Sequence, residues 1–276
     1  MSENGAHESV KTTERSLDVV RVVQERGGVR ISDIVEEFDM AKSTAYKHLR
    51  TLESRGYLVK EGEQYHIGLK FMNRGEYART RKPAYRIAED IVDDLADRTE
   101  HEVDFLVEND GRSIAVHFSY DPTNPFQDMN ADPTNKHWRK GTYYHLHCIA
   151  AGKAILAHLP REAVEAIIEQ WGLPARTERT ITDPDELFAE LETIREQGYA
   201  YSEGEYTDGM AAIAMPVIEP TGELLGGLAV NGPTYSLQNP DRRAELQSTL
   251  EEVVTAFETR LENIEWPDPF EQGTMS

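Results

Sequence analysis

Between Thr13 and Arg26, Leu17, Val20 and Val23 recur at helical spacing, Val19 and Val22 widen the stripe, and Gly27-Gly28 ends it. A shorter helix follows, with Ser32 as its N-cap and Ile34, Val35 and Phe38 as its apolar side. From Lys42 to Arg55 a third helix places Ala45, Leu49 and Leu52 on one side. Ser43, Tyr46, Lys47, Arg50, Thr51 and Ser54 fall on the other. Gly56 closes that helix by accepting a left-handed backbone cheaply. Tyr57-Leu58-Val59 and Gln64-Tyr65-His66-Ile67 are β-prone runs joined by Lys60-Glu61-Gly62-Glu63, a hairpin pattern. Three helices and a hairpin in this order predict a winged helix-turn-helix over residues 12–68, behind a disordered tail at 1–11.

The pattern then changes. Residues 69–83 predict a linker helix that Pro83 breaks. Ala84, Ile87, Ala88, Ile91 and Leu95 mark another helix, and Asn109-Asp110-Gly111 joins strands at Val103–Val107 and Ile114–Phe118. Residues 119–140, rich in proline and asparagine, predict a long loop. The run from His145 to Leu159 is full of small residues, as a helix packed closely on a sheet or a ligand requires. Further helices are predicted from Arg161 to Trp171 and after Asp183, an N-cap followed by Pro184 at N1. Strands follow at Tyr199–Ser202, Ile213–Ile218 and Leu224–Asn231, then an amphipathic helix from Asp241 to about Ile264 and a tail at 265–276. Strands flanked by helices from both ends of the segment predict an α+β sandwich over 84–264.

At 276 residues the chain accommodates two domains, each large enough for its own core. No apolar run approaches a membrane span and nothing resembles a signal peptide, so no membrane partner and a cytoplasmic location are expected. The single cysteine, Cys148, excludes an internal disulfide. The net charge of −21 argues against a nucleic-acid partner until its distribution is considered. Residues 11–75 hold 12 Lys and Arg against 10 Asp and Glu, about +2, and residues 1–10 carry −2. The remaining −21 lies in residues 76–276, away from the helical face at issue. The acid excess, with only 9 lysines among 29 basic residues, resembles proteins of salt-loving organisms. In concentrated salt, phosphate-driven affinity falls with a slope of about −0.9 per phosphate neutralised, leaving more of the recognition to base contacts and shape.

The polar side of the Lys42–Arg55 helix mixes cations, hydroxyls and a phenol, the groups that bond phosphates and base edges in a major groove. Lys42, Ser43, Thr44, Tyr46, Lys47 and Arg50 are expected on double-stranded DNA, with Lys60 of the wing on the backbone.

With both halves in view, the chain resembles the IclR family of bacterial and archaeal transcription regulators over roughly residues 12–264. The first half matches through AKSTAYKHLRTLESRGYL. Three blocks in the second half are more specific: LHCIAAGKAILAHL, ITDPDELFAELETIREQGYAYSEGEY, and GMAAIAMPV with LLGGLAVNGP. The resemblance implies a GAF-like α/β effector-binding domain after the winged helix, a palindromic operator, and a homodimer or tetramer. It also implies a small-metabolite effector, of carbon catabolism, that alters operator binding. Carried over by position, the effector site would be lined by Ala150, Ala151, Ser202, Ala212, Ala229 and Asn231. Gly141, Thr142, Tyr143 and Tyr144, just before the small-residue helix, would add contacts. Where members that bind small carboxylates tend to have Asp, Cys and Ser, this chain has Ser202, Ala212 and Ala229. Fewer polar groups imply a larger or more apolar effector.

His137, His145, His147 and Cys148 fit no standard zinc spacing, so neither metal nor cofactor is expected. His147 is better read as bonding a backbone group in the core, and Cys148 as a buried, inert thiol. No GxGxxG, GxxxxGK[ST] or HExxH motif occurs, and no catalytic residue is assigned. Two other readings stay open: a metabolite-binding protein or enzyme whose winged helix serves dimerisation, and a metal-responsive repressor.

Overall fold

The computed structural model describes residues 9–119 and 140–264. Its two compact units are Met1–Ala78 and Arg79–Ser276. Most of the predicted 119–140 loop, including His137, lies outside the described residues.

In the first unit, α1 (Lys11–Glu25), α2 (Ile31–Phe38) and α3 (Lys42–Ser54) precede the antiparallel strands β1 (Leu58–Glu61) and β2 (Gln64–Ile67). Val19, Val22 and Val23 of α1 pack with Ile34 of α2, Ala45 and Leu49 of α3, and Leu58 and Tyr65 of the wing. Two sequence expectations fail here. Leu17 is 63% exposed, because it lies two residues, about 200° of rotation, from the buried Val19. Ser32 is not the N-cap of α2. The helix begins two residues earlier, with Arg30 as its N-cap, and Asp33 supplies the cap by accepting the Arg30 backbone N–H at 2.7 Å. Between α2 and α3, Asp39 takes a left-handed conformation (φ 44°), which turns the chain sharply. The wing is tighter than its sequence suggests. Glu61 already pairs with Gln64, so only Gly62 and Glu63 form the turn, with Gly62 at φ 59°. Val29 bridges to Tyr65 as a third, single-residue strand. Helix α4 (Lys70–Thr80) follows and buries none of its residues.

In the second unit, α5 (Pro83–Thr99) leads into the hairpin of β3 (Glu102–Asn109) and β4 (Arg112–Phe118). After 140 come β5 (Tyr143–Tyr144), a 3₁₀ turn at Leu146–Cys148, α6 (Ala150–His158), α7 (Arg161–Trp171) and α8 (Pro184–Gln197). The chain continues through β6 (Ala200–Glu203), β7 (Met210–Ile218), β8 (Leu224–Pro233), the short α9 (Thr234–Leu237) and α10 (Pro240–Glu262). The six strands form one antiparallel sheet in the order β5-β4-β3-β8-β7-β6.

Period-two alternation makes this sheet a partition. Ile213, Met215 and Val217 of β7, with Leu228 and Val230 of β8, face α5 and α10. Their neighbours Ala212, Ala214 and Ala229 face α6 and α8. Large residues therefore fill one side while alanines let α6 approach the other. The contact is backbone-close: a Cβ on Gly227 would lie 2.8 Å from the Ala151 carbonyl oxygen, and one on Gly152 only 2.2 Å from that of Leu146. The predicted helix from His145 is thus shorter than expected, because Gly152 packs on the 3₁₀ turn that occupies Leu146–Cys148. Gly152→Ala forces backbone apart and is expected to destabilise the unit by about 1–3 kcal/mol, read as a lowered urea midpoint.

Candidate functional site

The first unit presents one coherent polar face. Lys42, Ser43, Thr44, Tyr46, Lys47, Arg50 and Thr51 are all exposed on α3, while Ala45, His48 and Leu49 are buried beneath them. His48 was not foreseen as a core residue. Its Nδ1 lies 2.9 Å from Ser16 Oγ of α1, and burial, with Arg15 nearby, lowers its pKa. That neutral ring ties α3 to α1 without adding charge to the packed side. No side chain caps α3, whose N-cap is Ala41, so the first turn keeps backbone N–H groups open to an anion. Arg50 bonds Glu53 at 3.0 Å on the surface. On the wing, Lys60 is exposed with its ammonium 5.7 Å from the centre of the Tyr65 ring.

The second unit holds a cleft of about 540 Å³, including its open mouth, between the small-residue face of the sheet and the start of α6. Ala150, Ala151, Ser202, Ala212, Ala229 and Asn231, six positions expected from sequence, line it together. Gly141, Thr142 and Tyr143 do not. The β5 strand pairs with β4 and carries Tyr143 outward, where its hydroxyl bonds Asn109 at 3.2 Å. Tyr144, the fourth residue expected there, takes the inward position by strand alternation and does line the cleft.

The expectation of few polar groups also fails, because they come from elsewhere in the chain. Asp104 on β3 and Glu205 and Tyr206 after β6 reach the same space. Asp104 lies on the opposite side of its strand from Val103 and Phe105, next to the alanines. Its Oδ2 accepts from Asn231 Nδ2 at 3.0 Å. Burial pushes its carboxyl up to about 7, the Asn231 bond works against that rise, and Glu102 adds to it. The alternating VDF pattern within β3 is the signal that locates this residue once the strand is known.

Lys153 was also missed. It lies on α6, is 1% exposed, and gives its ammonium three acceptors at 2.8 Å: Glu190 Oε1 on α8, Glu205 Oε1 and the Tyr201 carbonyl. Glu205 is raised by burial, with Lys153 opposing the rise. The ammonium fixes the chain just after β6, which forms one wall of the cleft. Nearby, the His147 Nε2 donates to the Pro174 carbonyl at 3.2 Å, and the Cys148 thiol donates to the His145 carbonyl at 3.3 Å. Burial pushes that thiol up to about 12, which keeps it protonated and unreactive. The segment is a 3₁₀ turn. Among the described residues, no three His, Cys, Asp or Glu come together as a metal site, and no helix is long and apolar enough to cross a membrane.

Two family models match: the IclR helix-turn-helix domain over residues 12–62 and the bacterial transcriptional regulator IclR C-terminal domain over residues 79–258. The chain is 29% identical over 261 residues to the probable HTH-type transcriptional regulator ArcR of Halobacterium salinarum, covering 94% of this chain and 97% of that one. Among solved structures, the Thermotoga maritima IclR is 25% identical with a TM-score of 0.69, covering 91% of this chain and 98% of its own. An IclR homologue from Microbacterium hydrocarbonoxydans, complexed with 4-hydroxybenzoate, is 20% identical with a TM-score of 0.69, covering 89% and 99%. The exposed helix of the first unit and the walled cleft of the second correspond to the two matched domains, and the C-terminal match alone spans more than half of the sequence. The chain belongs to the IclR family, as a transcriptional regulator that joins a DNA-binding helix-turn-helix to a C-terminal ligand-binding domain.

Proposed function

We propose that the protein acts by binding alone, as a homodimer or tetramer that reads a palindromic operator and releases or tightens on it when a small metabolite enters the cleft. The observation that carries this reading is the outward face of α3, on which Lys42, Ser43, Thr44, Tyr46, Lys47 and Arg50 are exposed together above a packed core. In this reading they meet bases and phosphates in the major groove, and Lys60 meets the flanking backbone. Leu69, Met72 and Tyr77 on and beside α4 are 67–85% exposed, which supports self-association through that helix. Two recognition helices then address half-sites about one helical turn apart.

The test is a fluorescence-polarisation titration of the full chain on DNA from upstream of its own gene, across a salt series. Arg50→Ala is expected to weaken binding by about 1–3 kcal/mol if Arg50 reads a guanine, with the loss concentrated on sequences that keep that guanine. An equal loss on every duplex, with a salt slope shallower by about one, makes Arg50 a phosphate contact. Binding that ignores sequence altogether overturns operator recognition.

A further inference from the structure

The cleft is lined by two carboxylates, Asp104 and Glu205, and by no lysine, arginine or histidine among the described residues. One oxygen of each is engaged, Asp104 Oδ2 by Asn231 and Glu205 Oε1 by Lys153. The others, Asp104 Oδ1 and Glu205 Oε2, are shut off from solvent and receive no hydrogen bond among the described residues. Glu205 is 9% exposed, so its free oxygen is held in place with its side chain. Nor does the neighbouring cation neutralise the site. Lys153 divides a single positive charge between Glu205 and Glu190, which leaves that cluster one negative charge in excess. A buried acceptor without a donor costs free energy on the order of 1–3 kcal/mol, more when it is ionised. Tyr144 and Tyr206 line the same space with ring centres 5.4 Å apart, and the Tyr206 ring already holds the Arg176 guanidinium 5.0 Å from its centre, outside the lining of the cleft.

We propose that the ligand recognised here presents a protonated nitrogen, an ammonium or guanidinium, to the free oxygens of Asp104 and Glu205. The inference rests on the cleft being the ligand site. Once Asp104 is ionised, a neutral hydroxyl satisfies a lone pair but leaves the charge uncompensated, and a carboxylate adds to it. The charged groups on the cleft side near Asp104 are Glu102 on its own strand and Glu205 after β6, beside the neutral Tyr144, Asn231 and Tyr206; Lys153 is engaged behind Glu205 and Arg176 behind Tyr206. Because Asp104 holds a proton up to about pH 7, a cationic ligand expels it on binding and gains affinity as pH rises. An anionic ligand gains affinity as pH falls.

The experiment is isothermal titration calorimetry on the full chain with two skeletons, each carrying three end groups. The first set is 4-hydroxybenzylamine, 4-hydroxybenzyl alcohol and 4-hydroxybenzoate; the second is butane-1,4-diamine, butane-1,4-diol and butanedioate. On at least one skeleton the amine is expected to bind at least about tenfold more tightly than its alcohol and carboxylate counterparts, and more tightly at pH 8 than at pH 6. Asp104→Asn should remove about tenfold or more of that affinity without lowering the urea midpoint. A carboxylate that binds as well as or better than its amine overturns the proposal, as does an alcohol that equals it or the failure of both amines. Thr207→Trp, at the half-buried rim, separates this from failure of the cleft itself. A carboxylate lost in that variant overturns only the charge class, whereas binding of any probe that survives it removes the cleft as the ligand site.

Discussion

Lys153→Met is expected to destabilise the second unit by about 3–5 kcal/mol, the largest effect of any single substitution considered for this chain. The loss is not that of a surface ion pair. Removing the ammonium leaves Glu205, 9% exposed, with an uncompensated charge, and frees the Tyr201 carbonyl and Glu190 at the same time. Differential scanning calorimetry should show the second unit's transition falling by about 6–20 °C, at 2–4 °C per kcal/mol for a unit this size. The triple variant Lys153→Met, Glu190→Gln, Glu205→Gln should recover part of the loss, because buried polar groups without charge are cheaper to leave than a buried anion. A Lys153→Met protein as stable as the parent would show that the three 2.8 Å contacts contribute nothing to the fold.

Asp104→Asn is expected to stabilise the same unit, and only at neutral to alkaline pH. Folding raises the Asp104 carboxyl from 3.8 to about 7, so between these values the native chain holds a proton that the unfolded chain has released. The unfolded state binds fewer protons there, and stability falls as pH rises. The penalty is absent below about pH 4, grows through the interval and is complete above about pH 7, where it reaches on the order of 2–4 kcal/mol. Asparagine carries no such charge and retains a partner for Asn231. Melting temperatures of parent and variant should therefore coincide near pH 4 and diverge by several degrees at pH 8, with the variant higher. Equal melting temperatures at both pH values would mean that Asp104 is ionised without cost in the folded protein.

Both results concern residues that sequence reasoning passed over, and the reason is physical. The helices and strands were legible because each shows one side to a core. Val19, Val22 and Val23, or Ile213, Met215 and Val217, repeat with the period of their element. The exposed polar face of α3 was legible for the same reason, since its cations and hydroxyls alternate with Ala45 and Leu49. The alanines of the cleft came from family position. Asp104, Glu205 and Lys153 carry no comparable signal. In a chain with 50 acidic residues, a buried carboxylate looks like any solvated one. Only the packing of β3, α6 and the segment after β6 brings the three into one neighbourhood. Of the four residues before α6, only Tyr144 lines the cleft, for a narrower reason: proximity to α6 in sequence says nothing about side, and a single step of strand alternation separates Tyr143 from Tyr144.

The alternation along β7 and β8 also separates two kinds of inheritance. A change at Ala212 or Ala229 alters the shape offered to a small molecule, while Ile213, Leu228 and Val230, one residue away, continue to hold α5 and α10. Chemical preference can therefore drift between descendants of one ancestor without a compensating change in the scaffold. A lineage that meets a new ligand needs to rewrite only every second letter of two strands.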